Sequence, residues 1–189
     1  LQLIKALEAE ELSPLPLFIS SLKDPLSDKI LQQIFADAPP QVILNTTGFS
    51  ASTPGTAHVS SALEGCNCPV FQVILSGGSK EAWHKNTQGL SPRDIAMNVA
   101  LPEVDGRIIT RAISFKDQAK HDPLTEHSTV NYEPKRDRVQ FVAKLAANWC
   151  RLSKAPTKER RIAIVLANYP NRDGRIGNGV GLDTPASVS

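Results

Sequence analysis

Glu103 and Asp105 stand two residues apart in the run Leu101-Pro-Glu-Val-Asp-Gly106. A carboxylate holds a hard divalent cation through oxygen, and it takes a proton from a reacting group at neutral pH. This acidic pair suits both catalytic tasks. The plainer alternative is that the two acids shape or cap the turn that Gly106 permits, which fits Asp105 best because Asp-Gly is a common turn pair. Arg107 and Arg111 follow, and period-two alternation would put them on one face of a strand with Ile109 and Ile113. A guanidinium buried there needs an anion. Two are open: a carboxylate of a bound substrate, gripped in a bidentate fork, or an internal pair with Glu103 or Asp105.

Two elements must position this turn. Ser91-Pro92-Arg93-Asp94 has a capping hydroxyl, proline at the first helical position and an acid three residues after the cap, so a helix is expected to start there and to stop at Pro102. Arg107 to Phe115 is rich in β-branched and apolar residues and reads as a strand covered on both faces.

The rest of the chain alternates in the same way. Short helices are expected around Leu3 to Leu7, from a cap at Ser27 through Phe35, from Ala57 to Leu63, and from a cap at Ser79 through Trp83. A long one runs from Arg136 to Lys154, with Val139, Val142, Leu145, Ala146, Trp149 and Leu152 on its buried face. Strands are expected at Pro14–Ser20, Val42–Asn45, Val70–Leu75 and Arg161–Ala167. The fold class is therefore α/β: a mostly parallel sheet with helices on both faces, in Rossmann-like or flavodoxin-like layers. Residues 1–155 would form one domain and 156–189 the start of a further βα unit. Ligands of such sheets sit beyond the carboxyl ends of strands, which points to the loops 46–56, 76–79 and 168–181. Residues 116–135 are polar and aperiodic and read as a long excursion or partly disordered loop.

Other chemistry-bearing residues are weaker. Cys66-Asn-Cys68 offers two soft ligands where zinc wants four, and reads as an ordinary loop. His121-Asp122 and Glu126-His127 have metal-ligating types but sit on a polar loop. His58 and His84 read as surface or capping residues. Gly174, Gly177, Gly179 and Gly181 lie between a strand and a helix start but lack the Lys-Ser/Thr ending of a P-loop and the spacing of the dinucleotide fingerprint, so no cofactor-binding residue is assigned. A net charge of +2 is too small to imply nucleic acid. No apolar run has the length of a membrane span. Three sparse cysteines, Cys66, Cys68 and Cys150, suit a reducing cytoplasm.

The run Gly89-Leu-Ser-Pro-Arg-Asp-Ile-Ala-Met-Asn-Val-Ala-Leu-Pro-Glu-Val-Asp-Gly-Arg-Ile-Ile-Thr-Arg-Ala-Ile-Ser-Phe-Lys116 resembles the large subunit of cobaltochelatases and, more distantly, the porphyrin-binding H subunit of magnesium chelatases. Thr46-Thr-Gly-Phe49, Gln72-Val-Ile-Leu-Ser76, Arg161 to Pro170 and Arg175 to Pro185 agree with it. Members of that family are several times longer, so the chain is expected to be an internal stretch, inactive by itself. The resemblance implies ATP-dependent insertion of Co²⁺ into hydrogenobyrinic acid a,c-diamide in cobalamin biosynthesis. Cobalt is the substrate, and ATP is hydrolysed on partner AAA+ subunits. It also implies catalytic roles for Glu103 and Asp105, with Glu103 as the metal ligand, and tetrapyrrole contacts for Arg107 and Arg111. Insertion of Mg²⁺ into protoporphyrin IX, and a noncatalytic tetrapyrrole- or partner-binding module, stand as the alternatives.

Overall fold

A computed structural model describes residues 1–52, 63–87, 89–116, 120–124, 126–166, 177 and 183–188. The chain falls into two units, Leu1–Lys154 and Ala155–Ser189.

The first unit is built on a four-stranded sheet, β1 (Ile43–Asn45), β2 (Val70–Ser76), β3 (Ile108–Lys116) and β6 (Tyr132–Pro134), in the order β1-β2-β3-β6. The first three strands are parallel, and β6 joins the edge antiparallel. Parallel neighbours need long crossovers; helices between β2 and β3 supply one, while helices before β1 and after β6 cover the other face. On one face α1 (Gln2–Ala9) and α6 (Arg136–Lys154) pack over Val73 and Ile113, with Val139, Val142, Leu7, Ala143 and Ala146 buried between the layers. The other face sets Ile74, Ala112 and Phe115 against Trp83 of α3 (Lys80–Lys85), Leu90 and Val99. Each valine, isoleucine, leucine or phenylalanine among them contributes about 1.5–3 kcal/mol when fully buried.

The extent of α6 matches its periodicity, but its buried stripe is narrower and made of smaller residues. Val139, Val142, Ala143, Ala146, Ala147 and Cys150 face inward. The alanines let the helix axis approach the sheet, which leaves the larger Trp149 and Leu152 at the margin. Trp149 makes a T-shaped ring contact with Phe71, at 5.8 Å between ring centroids.

Three other expectations change. Pro14–Ser20 forms no strand: it has no paired neighbour among the described residues, and Leu15, Leu17 and Phe18 stay exposed. The cap of helix α2 (Pro25–Asp37) is Asp24, three residues before Ser27, because the Asp24 carboxylate takes the Leu26 and Ser27 N–H groups and Pro25 occupies the first turn. The polar segment after β3 is not structureless. It holds the hairpin of β4 (Lys120–Asp122) and β5 (His127–Thr129), then β6. The expected helix from Ala57 to Leu63 lies almost wholly outside the described residues.

In the second unit Arg161 to Leu166 forms no strand, with Ile162, Ile164 and Val165 exposed, because no neighbour pairs with it among the described residues. The short α7 (Thr184–Val188) follows, with Ala186 N–H bonded to the Asp183 carboxylate. The Thr184 hydroxyl donates to the carbonyl of Gly177, whose φ of +68° places it in the left-handed region. Gly174, Gly179 and Gly181 lie outside the described residues.

Candidate functional site

The helix that leads to the acidic pair begins where its cap predicts. Ser91 Oγ accepts the Asp94 N–H at 3.1 Å, with Pro92 in the first turn of α4 (Pro92–Ile95). It does not stop at Pro102. A π-helical turn, Ala96–Ala100, leads into α5 (Leu101–Val104), which contains the proline. Proline gives no N–H to the carbonyl four residues back and its ring crowds that carbonyl, so an α-helix would break or kink there. Widening the helix upstream provides another way through. Leu101 N–H bonds to Ala96 O, five residues back, and this frees Met97 O, which accepts Phe49 N–H at 2.8 Å.

Phe49 belongs to a strap, residues 46–52, that leaves β1 and runs beside this helix. Its fastening is polar throughout. Asn45 Nδ2 donates to Gln72 Oε1 at 2.7 Å, Gln72 Nε2 donates to Thr47 O at 2.9 Å, and Arg107 donates to the same Gln72 oxygen at 3.1 Å. Arg107 also forms an ion pair with Asp105 at 2.7 Å, with the two side chains 2% and 5% exposed. The Asp105 carboxylate takes in addition the N–H groups of Ala51 and Ser52, at 2.7 and 3.0 Å. Gly48 lies so close to the π turn that a Cβ there would sit 3.2 Å from Asn98 Oδ1 and 3.3 Å from Met97 O. Held this way, Phe49 adopts a φ of +65°, a conformation costing roughly 1–3 kcal/mol in a non-glycine residue.

Burial alone would push the Asp105 carboxyl up, but the Ala51 and Ser52 amides and the Arg107 charge outweigh it and hold the group below its ordinary value. Burial pulls the Arg107 guanidinium below its usual value, and Asp105 opposes this. Arg107 is therefore satisfied internally, by Asp105 and Gln72.

Glu103 has the opposite environment. It sits in α5, exposed, and its carboxylate makes no hydrogen bond or ion pair with the described residues. The turn that separates the two acids is closed by Asp105 N–H to Pro102 O and Gly106 N–H to Glu103 O, with Gly106 at φ +68°. Arg111 does not share a face with Arg107. The pairing of β2 with β3 shifts register twice, between Gln72 and Ile74 and between Ile74 and Leu75, and each irregularity breaks the alternation. Arg111 is exposed on the α6 side, its guanidinium carbon 3.5 Å from the centroid of the Phe141 ring. The structure thus joins Asp105 to Arg107, presents Glu103 beside them and sets Arg111 apart.

Sequence reasoning missed Asn45 and Gln72. Their signal was one polar residue inside the apolar run Val70 to Leu75 and another ending Val42-Ile-Leu. Of the other candidates, Cys68 follows a left-handed Asn67, and burial, then Cys66 and Cys150, push its thiol up to about 11. A thiol so raised is a poor metal ligand or nucleophile at neutral pH. His84 lies against Trp83, and His58 is outside the described residues. Among the described residues no group of three or more His, Cys, Asp or Glu comes together to hold a metal. No helix among them is long and apolar enough to cross a membrane.

A family model described as CobN/Magnesium Chelatase matches residues 1–189. The chain is 56% identical over 186 residues to the aerobic cobaltochelatase subunit CobN of a Sinorhizobium species, which covers 98% of this chain and 15% of that protein. It is 46% identical to the subunit of the same name from Pseudomonas aeruginosa, over 96% of this chain and 14% of that protein. The chloroplastic magnesium-chelatase subunit ChlH of Oryza sativa is more distant, at 28% over 98% of this chain and 13% of its own length. Among solved structures, the catalytic subunit of cobaltochelatase from Mycobacterium tuberculosis superposes with a TM-score of 0.78 at 32% identity, over 99% of this chain and 15% of that one. The chain spans about 15% of the length of the Sinorhizobium relative. On these matches, the chain belongs to the CobN/magnesium chelatase family.

Proposed function

We propose that the intact protein is the large, tetrapyrrole- and metal-handling subunit of an ATP-dependent cobaltochelatase, inserting Co²⁺ into hydrogenobyrinic acid a,c-diamide with AAA+ partner subunits that hydrolyse ATP. Its setting would be the cytoplasm. Support for cobalt over magnesium comes from similarity: identity to the cobaltochelatase subunits is 56% and 46%, against 28% for the magnesium-chelatase subunit.

The observation that carries the chemistry is the contrast between the two acids of the turn. Metal insertion exchanges inner N–H protons of the macrocycle for metal–nitrogen bonds while the cation sheds water, so it needs an accessible carboxylate or similar base. Glu103 is accessible and unpaired, and we assign it the contact with metal or proton. Asp105 and Arg107, enclosed by the strap, are positioning residues in this reading. Arg111 lies on the α6 side and is not part of the same arrangement.

The test is reconstitution of the full-length protein with its ATPase partners. Offered Co²⁺ with the corrinoid precursor and Mg²⁺ with protoporphyrin IX, it should form the cobalt product, and only when ATP is present. Preferential magnesium insertion would favour the other branch. Binding of tetrapyrrole without insertion of either metal would reduce the protein to a binding module.

A further inference from the structure

Four non-glycine residues among those described adopt positive φ: Glu11, Phe49, Asn67 and Glu126. Phe49 is the only aromatic one. Asn tolerates this region through its short polar side chain, whereas a bulky side chain there is an outlier that the surroundings must enforce. The enforcement is visible: the Phe49 N–H is taken by the carbonyl that the π turn releases, Gly48 is wedged against Met97 and Asn98, and both sides of the strap are tied to the buried Asn45, Gln72, Asp105 and Arg107 side chains. All this constraint leaves the ring 56% exposed. Hydrophobic packing within this unit does not explain the cost, since it has not covered the ring.

We infer that Phe49 is a stacking contact for the face of the metal-free tetrapyrrole, held rigid by the strap beside the helix that carries Glu103. A flat conjugated ring system is the ligand chemistry that an exposed phenyl ring on a fixed backbone fits best, because offset stacking needs an open apolar face and no hydrogen-bond partner. The π turn connects the two functions. It carries the helix through Pro102 to Glu103, and the carbonyl it frees anchors Phe49. The inference rests on the tetrapyrrole reading above and adds to it a residue that meets the ring's face.

The test uses the full-length protein and hydrogenobyrinic acid a,c-diamide without metal, followed by the absorbance of the macrocycle. Phe49→Asn keeps a side chain that accepts left-handed backbone but removes the ring. It should weaken binding on the order of tenfold with an unchanged melting temperature. Phe49→Trp should bind within about twofold of wild type, and its added indole fluorescence should be quenched when the macrocycle binds. Wild-type affinity in Phe49→Asn, or a fall in melting temperature with unchanged affinity, overturns the inference and makes Phe49 a packing residue against the rest of the protein. Failure of the wild-type protein to bind the macrocycle overturns the tetrapyrrole reading together with it.

Discussion

The layer under α1 and α6 and the polar network around Gln72 are held by different physics. Under α1 and α6 the contacts are apolar and interchangeable in kind: Val73, Ile113, Val139, Val142 and a row of alanines gain by leaving water, and none requires a particular partner. The opposite face has its own apolar cluster of Ile74, Ala112 and Phe115, but around Gln72 four buried polar side chains and the strap's backbone satisfy one another by direction and charge. Such a network is costly when one member is lost, because the remaining groups stay buried and unpaired. Apolar packing supplies stability on both faces, and the polar network fixes the path of one strap and one turn. The conformationally costly residue and the free carboxylate are both found beside that network.

The largest expected difference between the two regions is at Asp105. Replacing it with alanine leaves the Arg107 charge buried, a loss of about 3–5 kcal/mol. In the intact protein this should appear as loss of amide-exchange protection at Ala51 and Ser52. The double change Asp105→Asn with Arg107→Met should recover much of it, since it removes both charges. The same bond sets a pH dependence. The Asp105 carboxyl is depressed in the folded protein, so its contribution is fully present above the ordinary value near 3.8 and is lost as pH falls through the lower folded value. Strap protection should therefore persist at pH 5 and fail in stronger acid.

Val142→Ala, in the layer under α6, should cost about 2 kcal/mol by leaving a small cavity. Exchange should rise across α6 and β2 while Ala51 and Ser52 stay protected. If the strap were lost as readily, the two regions would not be separable. Gly48→Ala probes the close approach itself. With Met97 O only 3.3 Å from the new methyl, the strap must shift, at about 1–2 kcal/mol, and the Phe49 N–H should exchange faster. The smallest effect is expected from Arg111→Gln, which loses one exposed cation–π contact with Phe141 worth about 0.5–1 kcal/mol. Tetrapyrrole affinity unchanged by it would agree with Arg111 standing apart, and a large loss would restore it to the binding site.

The contrast between the two regions also explains what could be read from the residues alone. Caps and periodicity are local, so the Ser91-Pro92 start, the limits of α6 and the parallel strands were legible. The mostly parallel class follows from strands that are continuously apolar. The inward stripe of α6 was less so, because which side turns inward depends on how closely the alanines let it approach the sheet. Register shifts between β2 and β3 carry no sequence mark, and the first of them, opposite Ile109 to Ala112, falls between Arg107 and the α6-facing Arg111. Gln72 was visible as a polar residue within an apolar strand, but its partners Asn45 and Arg107 lie 27 and 35 positions away. The π turn was concealed by the proline rule itself: Pro102 argues for an end, and only the strap's demand for the Met97 carbonyl shows why the helix continues.

The central claim is that the turn separates its acids, one to hold the structure and one to react. Glu103→Gln in the full-length enzyme, assayed with its ATPase partners, tests it directly, since the amide keeps size and hydrogen bonding but cannot accept a proton at neutral pH. The account predicts a fall in turnover of about a hundredfold or more, with macrocycle affinity within a few-fold of wild type and unchanged protection of the strap. Turnover near the wild-type rate, or a loss explained by unfolding, would contradict it.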